Sequence, residues 1–394
     1  MDNLYVSFRY KKAMAFLIAS FPVATVLQGI SVFDSINRVI MFGLILFLII
    51  GLFSNPIGYR EFAVLVSGTA MAVIAIILTG KPMYFNPMIY YPFWILFFVV
   101  MARDYKEFIA LLTEEEALLR KALIVWEVVV FVSIFFSRSY SYEWNDKYFT
   151  SFAGSAHRFA SSCLAMMAFV AVLYINTLNK RYIIHFLAIN MGMFFCGART
   201  YLVIGFVYVI CLFYVSLKKK RIFYYSILPI IGIGILVILL TPIGTKFTIG
   251  FEGEGYYGFW ATLTSGRSIL WSEDLAAYWD LDIIRKLVGN GANFVYQVSM
   301  NGVFQRPLYA HNDYINLLCS NGLLGMIVYF WALYNFVNRA KEGQKKAFIP
   351  LMGFYTIIYF NAFFNMLYTY PNAVVAVPFI YYSLCGAQQK LSEE

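Results

Sequence analysis

Two arginines and one histidine have positions in the sequence that suit phosphate-dependent chemistry. Arg199 lies in a short turn between two apolar stretches, Arg267 starts a stretch with helical character, and His311 lies just before another apolar stretch. The planar guanidinium group pairs bidentately with phosphate oxygens, and a neutral imidazole can accept a proton from a hydroxyl near neutral pH. The three residues therefore predict a site that binds a phosphorylated substrate and contains a general base.

Each of the three residues also has an ordinary structural interpretation. Arg199 could extend its side chain to the outer membrane interface, as long cationic side chains near helix ends do. Arg267 could be a surface arginine, although a helix N-terminus at that point would favour an anion. His311 could be a polar residue at the start of a helix without a chemical role. On the residues alone, both interpretations stay open.

Further polar residues beside apolar stretches are candidates for substrate binding. His157 and Arg158 close a polar segment and could contact a glycan or a phosphate, or cap a helix at the membrane interface. Asn312, with Asp313, could cap the helix that follows or orient the imidazole of His311. The candidate substrate-binding residues are His157, Arg158, Arg306 and Asn312.

The composition indicates a membrane protein. Of 394 residues, 61% are hydrophobic and only 13% are charged, whereas soluble domains are roughly half apolar and a quarter charged. These values exclude a soluble globular domain and a disordered chain, and five cysteines are too few for a disulfide scaffold. The net charge of +9 does not imply a nucleic-acid partner, because a bilayer sorts basic residues by side.

The apolar stretches predict an all-α polytopic membrane protein with about twelve transmembrane helices, forming a single membrane domain over residues 1–394. Most of the 30 basic residues fall on one side when the loops alternate, which predicts that both termini are cytoplasmic. We expect an amphipathic helix over 104–119 and a large, partly helical external loop over 243–310. Within that loop, Gly266–Val288 is expected to be helical, with Ser265 as N-cap and Gly289 as the stop. The predicted spans are 13–31, 37–53, 62–79, 87–102, 122–137, 159–176, 182–198, 200–217, 222–242, 314–338, 347–368 and 372–387.

Motifs for cofactor or metal chemistry are absent from the sequence. There is no Walker motif, nucleophile elbow or His/Cys metal cluster, and Gly289-Asn290-Gly291 lacks the strand–helix context of a dinucleotide-binding loop. The five cysteines contain no CxxC pair and lie mostly in apolar stretches, which favours a packing role. We therefore expect neither a cofactor nor a metal ion.

Four short motifs in a fixed order make the chain similar to a known family. Around the external loop, the sequence resembles the O-antigen ligase/polymerase superfamily, which includes the Wzy-type polymerases. The resemblance covers about residues 195–330, and the first half of the chain matches mainly as a series of spans. The motifs are Gly197-Ala198-Arg199-Thr200, Ser265-Gly266-Arg267 with Trp271, Gly289-Asn290-Gly291 with Phe294, and His311-Asn312 followed by Gly322-Leu323-Leu324-Gly325.

The resemblance implies a function at the outer face of the bacterial cytoplasmic membrane. Members of the family are metal-independent, inverting glycosyltransferases whose donor is a glycan on undecaprenyl diphosphate. By this resemblance, Arg199 and Arg267 would bind the donor diphosphate, and His311 would position or deprotonate the acceptor hydroxyl. It also implies membrane lipid, a chain-length regulator and a flippase as partners.

Departures from the family pattern bear on the subtype. Ala198 stands where many members have serine, residues 156–158 replace a Pro-Asn pair of many ligases, and Met326 replaces a polar or small residue. We therefore favour a polymerase that joins repeat units into O-antigen, capsule or exopolysaccharide. The alternatives are an O-antigen ligase that transfers glycan to lipid A–core, a lipid-linked oligosaccharide flippase or transporter, and a structural partner in an export complex.

Overall fold

Long apolar stretches with few helix breakers form helices along nearly the whole chain. The computed structural model describes residues 2–143, 146–217, 220–239, 261, 264, 266–342 and 348–386, and helices make up 81% of it. The only strands among the described residues are β1 (Tyr140–Glu143) and β2 (Asp146–Phe149), which pair antiparallel. The helices are α1 (Asp2–Val26), α2 (Ser31–Ser54), α3 (Tyr59–Thr79), α4 (Asn86–Glu114), α5 (Glu116–Ser133), α6 (Ala156–Thr177), α7 (Arg181–Phe195), α8 (Arg199–Ser216), α9 (Lys220–Leu239), α10 (Arg267–Trp279), α11 (Ile283–Val288), α12 (Phe294–Asn301), α13 (Asp313–Ala340), α14 (Phe348–Phe364) and α15 (Pro371–Tyr381), with a π-helical turn over Tyr382–Gly386.

Several helices have the length and composition of membrane spans. Within the described residues, five helices are long and apolar enough to cross a membrane, namely α2, α3, α6, α8 and α13. Three shorter apolar helices accompany them, over Arg181–Phe195, Phe348–Phe364 and Pro371–Gly386. The prediction of a helical membrane protein is confirmed. A helix covers most of each of the twelve predicted spans, but the number of spans and their orientation stay predictions.

Helix α6 forms the centre of the bundle. In its most apolar stretch of 18 residues, 89% of the residues are buried. The corresponding share for α2 is 22%, because most apolar side chains of α2 face outwards. It contacts α1, α5, α7, α8 and α15. Small residues allow helices to approach closely where no hydrophobic effect drives their association, and α6 carries many of them on its buried surface, including Ala160, Ser161, Ser162, Ala165, Ala168 and Ala171.

The expected amphipathic helix over 104–119 does not exist as a separate element. Instead, α4 continues to Glu114 and only Glu115 leaves the helical conformation, with φ −92° and ψ 35°. The apolar positions beyond residue 104 explain the difference, since Phe108 and Leu112 are fully buried and extend the packed face of α4. The charged residues of this segment lie at the end of a long packed helix.

The predicted helix over Gly266–Val288 is divided into two. α10 ends at Trp279, and Asp282 begins α11 by accepting hydrogen bonds from the backbone N–H groups of Ile284 and Arg285 at 2.9 and 3.0 Å. Aspartate is a favoured N-cap residue. The presence of Asp282 within the apparently continuous helical pattern therefore marks the point where a second helix begins. Gly289 ends α11 as expected, with φ +87°. Ser265, the predicted N-cap, lies outside the described residues.

The segment 289–291 docks against an interruption in α13. The N–H groups of Asn290 and Gly291 donate to the carbonyls of Cys319 and Ser320 at 2.9 and 3.2 Å. Within α13, Gly322 has φ +69°, and a Cβ atom there would clash with the carbonyl of Leu287. The glycine motifs around 289 and 322 thus form a structural joint that holds α11 and the segment after it against α13.

We predict that Gly322→Ala destabilises the protein by roughly 1–3 kcal/mol, because the added Cβ would be forced into a left-handed conformation against a backbone carbonyl. Thermal unfolding in detergent measures the loss. Gly232→Ala is the matched control, since its Cβ would meet open space within α9. Equal unfolding temperatures for the two variants would contradict a structural role for the joint.

Candidate functional site

The beginnings of four helices carry the residues with predicted chemistry. Arg199 is the first residue of α8, Arg267 is the first residue of α10, and His157 is the second residue of α6. His311 stands two residues before α13. Unpaired backbone N–H groups give a helix N-terminus a partial positive charge. These positions therefore suit an anionic ligand.

Contacts connect three of these side chains, and the fourth lies at the start of a helix that Arg267 approaches. Arg267 Nη2 lies 3.5 Å from His157 Nε2, and the ring centroids of His157 and His311 are 6.1 Å apart. The charge of Arg199 contributes to the lowered pKa of Arg267, and Thr200, the residue after Arg199, shares a hydrogen-bond acceptor with Arg267. We refer to Arg199, Arg267, His157 and His311 as the Arg–His cluster. All four residues are partly accessible, so a ligand can reach them.

A single backbone carbonyl joins the two arginine-bearing helices. Arg267 Nη1 donates a hydrogen bond to the carbonyl oxygen of Phe364, and the hydroxyl of Thr200 donates to the same oxygen at 3.1 Å. Phe364 ends α14, where the last carbonyls have no partner within the helix and carry partial negative charge. The end of α14 therefore fixes Arg267 beside the start of α8.

The environment of Arg267 favours an anion. Burial lowers the pKa of Arg267 to about 10, with a smaller contribution from the charge of Arg199. The side chain stays protonated at neutral pH, yet within the described part of the chain it forms no ion pair with a carboxylate. Burial of a guanidinium without a carboxylate partner is costly, and an anionic ligand would stabilise the charge of Arg267.

His311 is held as a neutral imidazole. Burial, followed by the charge of Arg267 and by His157, keeps the pKa of His311 well below its ordinary value. Its Nδ1 is buried and has no hydrogen-bond partner among the described residues. The backbone adopts φ +51°, a strained conformation for a residue other than glycine that is common at functional sites. The imidazole can therefore accept a proton at neutral pH.

Hydrogen bonds fix the backbone on both sides of His311. The indole N–H of Trp271 donates to the carbonyl of Ala310 at 2.7 Å. Asn312 Oδ1 accepts from the N–H groups of Tyr314 and Ile315 at 3.0 and 3.1 Å and so caps α13. Asn312 is buried and its oxygen is committed to this cap, so the predicted contact with substrate would have to use its amide nitrogen.

Asp313 ties the same segment to the connection between α14 and α15. Its Oδ2 accepts hydrogen bonds from the N–H groups of Leu367 and Tyr368 at 2.6 and 3.1 Å. This connection also contains Tyr370, whose ring centroid lies 6.4 Å from that of His157. The buried carboxylate therefore holds the segment with Tyr370 beside the Arg–His cluster.

The remaining predicted residues lie outside the Arg–His cluster. Arg158 is exposed and lines a neighbouring cavity of about 370 Å³ together with Tyr370. Arg306 is exposed, and none of the described contacts joins it to the cluster. The structure thus brings together Arg199, Arg267, His157 and His311, while Arg158 borders the adjoining cavity.

Two contributors to the site were missed by the sequence analysis. The carbonyl of Phe364 cannot be predicted from the types of side chain, since every residue has a backbone carbonyl. Tyr370 is one of 31 tyrosines, and only its position before Pro371, at the start of α15, distinguishes it. Pro at the first helical position is a recognised start signal, which could have placed Tyr370 at a helix boundary near the site.

Comparison of the chain with models of known protein families and with curated protein sequences finds no match.

We predict that Trp271→Phe lowers the stability of the folded protein by about 0.5–1.5 kcal/mol, because the carbonyl before His311 loses its hydrogen bond. The shift in thermal unfolding in detergent measures this effect. Trp279→Phe is the matched control, because Trp279 lies on the same helix and is 64% exposed. A shift of the same size in both variants would show that the bond to Ala310 contributes nothing.

Proposed function

We propose that the protein is a polysaccharide polymerase that joins undecaprenyl-diphosphate-linked repeat units into O-antigen, capsule or exopolysaccharide. The observation that carries the proposal is the contact of Arg267 with His157, whose ring neighbours that of His311, at the start of the helix that begins with Arg199. Two cations suit a diphosphate, and a neutral imidazole beside them suits the deprotonation of a hydroxyl. The choice of an undecaprenyl-diphosphate-linked substrate rests on the order of the motifs, which resembles that of the O-antigen ligase/polymerase superfamily.

In the proposed reaction, the acceptor hydroxyl oxygen attacks the anomeric carbon of the donor from the face opposite the diphosphate. The new glycosidic bond forms as the bond between that carbon and the diphosphate oxygen breaks, which inverts the configuration. The diphosphate leaves with the electron pair, and the hydroxyl proton passes to His311. Arg199 and Arg267 stabilise the charge that develops on the leaving group. The glycosyl–diphosphate bond supplies the driving force.

We further propose twelve spans with both termini in the cytoplasm and the Arg–His cluster at the outer face. Contacts among residues assigned to the same side support this topology. At the proposed inner end, Lys12 pairs with Glu115 at 2.5 Å and Arg339 pairs with Glu61 at 2.9 Å. At the proposed outer end, Thr79 Oγ1 accepts a hydrogen bond from the N–H of residue 292 in the large loop at 2.8 Å.

We predict that Arg199→Ala, Arg267→Ala and His311→Ala each reduce chain growth at least about 100-fold, the cost of removing a transition-state donor or a general base. Arg267→Lys should also be strongly impaired, because an ammonium group cannot form the bidentate contact. Purified protein is incubated with one lipid-linked repeat unit, and the products are separated by length.

Arg60→Ala is the control for loss of a positive charge, since Arg60 is exposed and lies at the proposed inner end. A ladder of longer lipid-linked products identifies a polymerase. Transfer that requires added lipid A–core would identify a ligase, and movement of the lipid across the bilayer without new bonds would identify a transporter. Normal ladders from all three alanine variants would refute the proposed site.

We predict that the acid limb of kcat/KM lies well below pH 6.5, the ordinary pKa of imidazole. Burial and the charge of Arg267 disfavour the protonated form of His311, so the base form persists to lower pH and activity is lost only when the pH falls through this depressed pKa. Initial rates across the acidic range at low donor concentration measure the limb. A limb at or above the ordinary imidazole value would contradict His311 as the base.

A further inference from the structure

A cavity of about 370 Å³ adjoins the Arg–His cluster on the side of the histidines. Residues of α1, α2, α4 and α6 line it, together with the segment 369–372. Arg158 and Tyr370 stand on its wall, whereas Arg199, Arg267 and His311 do not line it. The cavity is therefore a separate compartment that shares a boundary with the cluster.

One wall of the cavity is a continuous row of hydrogen-bonded polar side chains. The row consists of Arg38, Asp34, Gln28, Asn37, Thr25 and Asn372. Successive partners are 2.8, 3.1, 3.2, 3.2 and 2.7 Å apart. Since Arg38 and Asp34 pair with each other, the row offers amide and hydroxyl groups rather than a net charge. Such a row suits a polar ligand that carries hydroxyl groups, and Arg158 adds a positive charge elsewhere on the wall.

Two buried oxygen atoms of residues that line this cavity have no hydrogen-bond partner among the described residues. They are Oδ1 of Asn372 and Oγ1 of Thr369, in side chains that are 3% and 7% exposed. The amide nitrogen of Asn372 donates to Thr25, which fixes the direction of the vacant acceptor. Buried polar atoms in folded proteins are nearly always paired, and a ligand that supplies hydroxyl groups at this wall would give partners to both.

The rest of the lining is aromatic and aliphatic. Tyr90 and Tyr370 line the cavity together with Phe21, Phe85 and Ile89. A sugar ring presents C–H groups on its faces and hydroxyls around its edge, so it matches a cavity lined by both aromatic rings and a row of amides. An acyl chain would offer no partner to the remaining hydrogen-bonding groups of the row or to the two oxygens, which is costly away from water.

We propose that this cavity binds the acceptor sugar of the reaction. The inference rests on the proposed function and deepens it. Tyr370 forms part of the cavity wall, its ring lies 6.4 Å from that of His157, and the His157 ring lies 6.1 Å from that of His311. A sugar in the cavity therefore lies on the histidine side of the cluster, where its hydroxyl meets the base, while the donor diphosphate occupies the arginine side.

The test uses two variants of the full chain that alter single lining groups. Thr369→Val keeps the shape of the side chain and removes one unpaired hydroxyl, and Asn372→Ala removes the fixed acceptor. We expect each to weaken binding of the acceptor oligosaccharide and raise its KM about five- to tenfold, the loss of one hydrogen bond to a ligand, with the donor KM unchanged. Thr177→Val is the control, because its hydroxyl donates to Leu173 far along α6.

The probe is the repeat-unit oligosaccharide released from its lipid carrier by mild acid, and its binding is measured by calorimetry in detergent. Weaker binding to Thr369→Val than to wild type and Thr177→Val supports the cavity as a sugar site. Equal binding to wild type and both lining variants, or chain growth with a normal acceptor KM, overturns it. A third outcome separates the two proposals. If the variants weaken binding of the oligosaccharide but the wild-type protein forms no glycosidic bond, the sugar site is supported and the proposed function is overturned.

Discussion

The burial of the Arg267 guanidinium, in the field of a second arginine, is the constraint on which the rest of the site depends. Arg199 and Arg267 are half-buried, and the charge of Arg199 is strong enough to lower the pKa of Arg267. In water such a pair would separate, but here α8 and α10 are anchored to the same carbonyl at the end of α14. The fold therefore holds the buried positive charge of Arg267 without a carboxylate partner among the described residues. Such an arrangement is typical of a site whose ligand brings the missing negative charge.

The surrounding architecture explains how this charge is maintained. Three contacts hold successive points of the chain around His311. They involve the carbonyl of Ala310, the helix cap by Asn312 and the carboxylate of Asp313. The joint at Gly289 and Gly322 then fixes α11 to α13. Because every one of these contacts involves backbone, the position of His311 does not depend on flexible surface interactions. The site is pre-organised, which is the condition for electrostatic stabilisation of a transition state.

The sequence predicts the residue types of the site better than its assembly. Arg199, Arg267 and His311 are recognisable because cationic and titratable groups beside apolar stretches are costly and therefore conspicuous. For His157, the sequence leaves open whether the side chain contacts a ligand or caps a helix. Its approach to Arg267, at 3.5 Å, favours contact with a ligand. Phe364 could not be predicted, because its contribution is a carbonyl. Likewise, apolar periodicity predicts that α4 and α10 are helices, but their ends depend on packing at Phe108 and on the cap at Asp282.

In the proposed arrangement, the Arg–His cluster and the neighbouring cavity recognise two different parts of the substrates. A diphosphate is recognised by charge, which acts over several ångströms and tolerates variation in the attached glycan. A neutral sugar is recognised by short, directional hydrogen bonds, which require fixed partners such as the amide of Asn372 held by Thr25. His157 and Tyr370 lie between the two compartments. Selectivity for the glycan would then reside in the cavity, and variation along its polar row could change the acceptor without disturbing the charged centre.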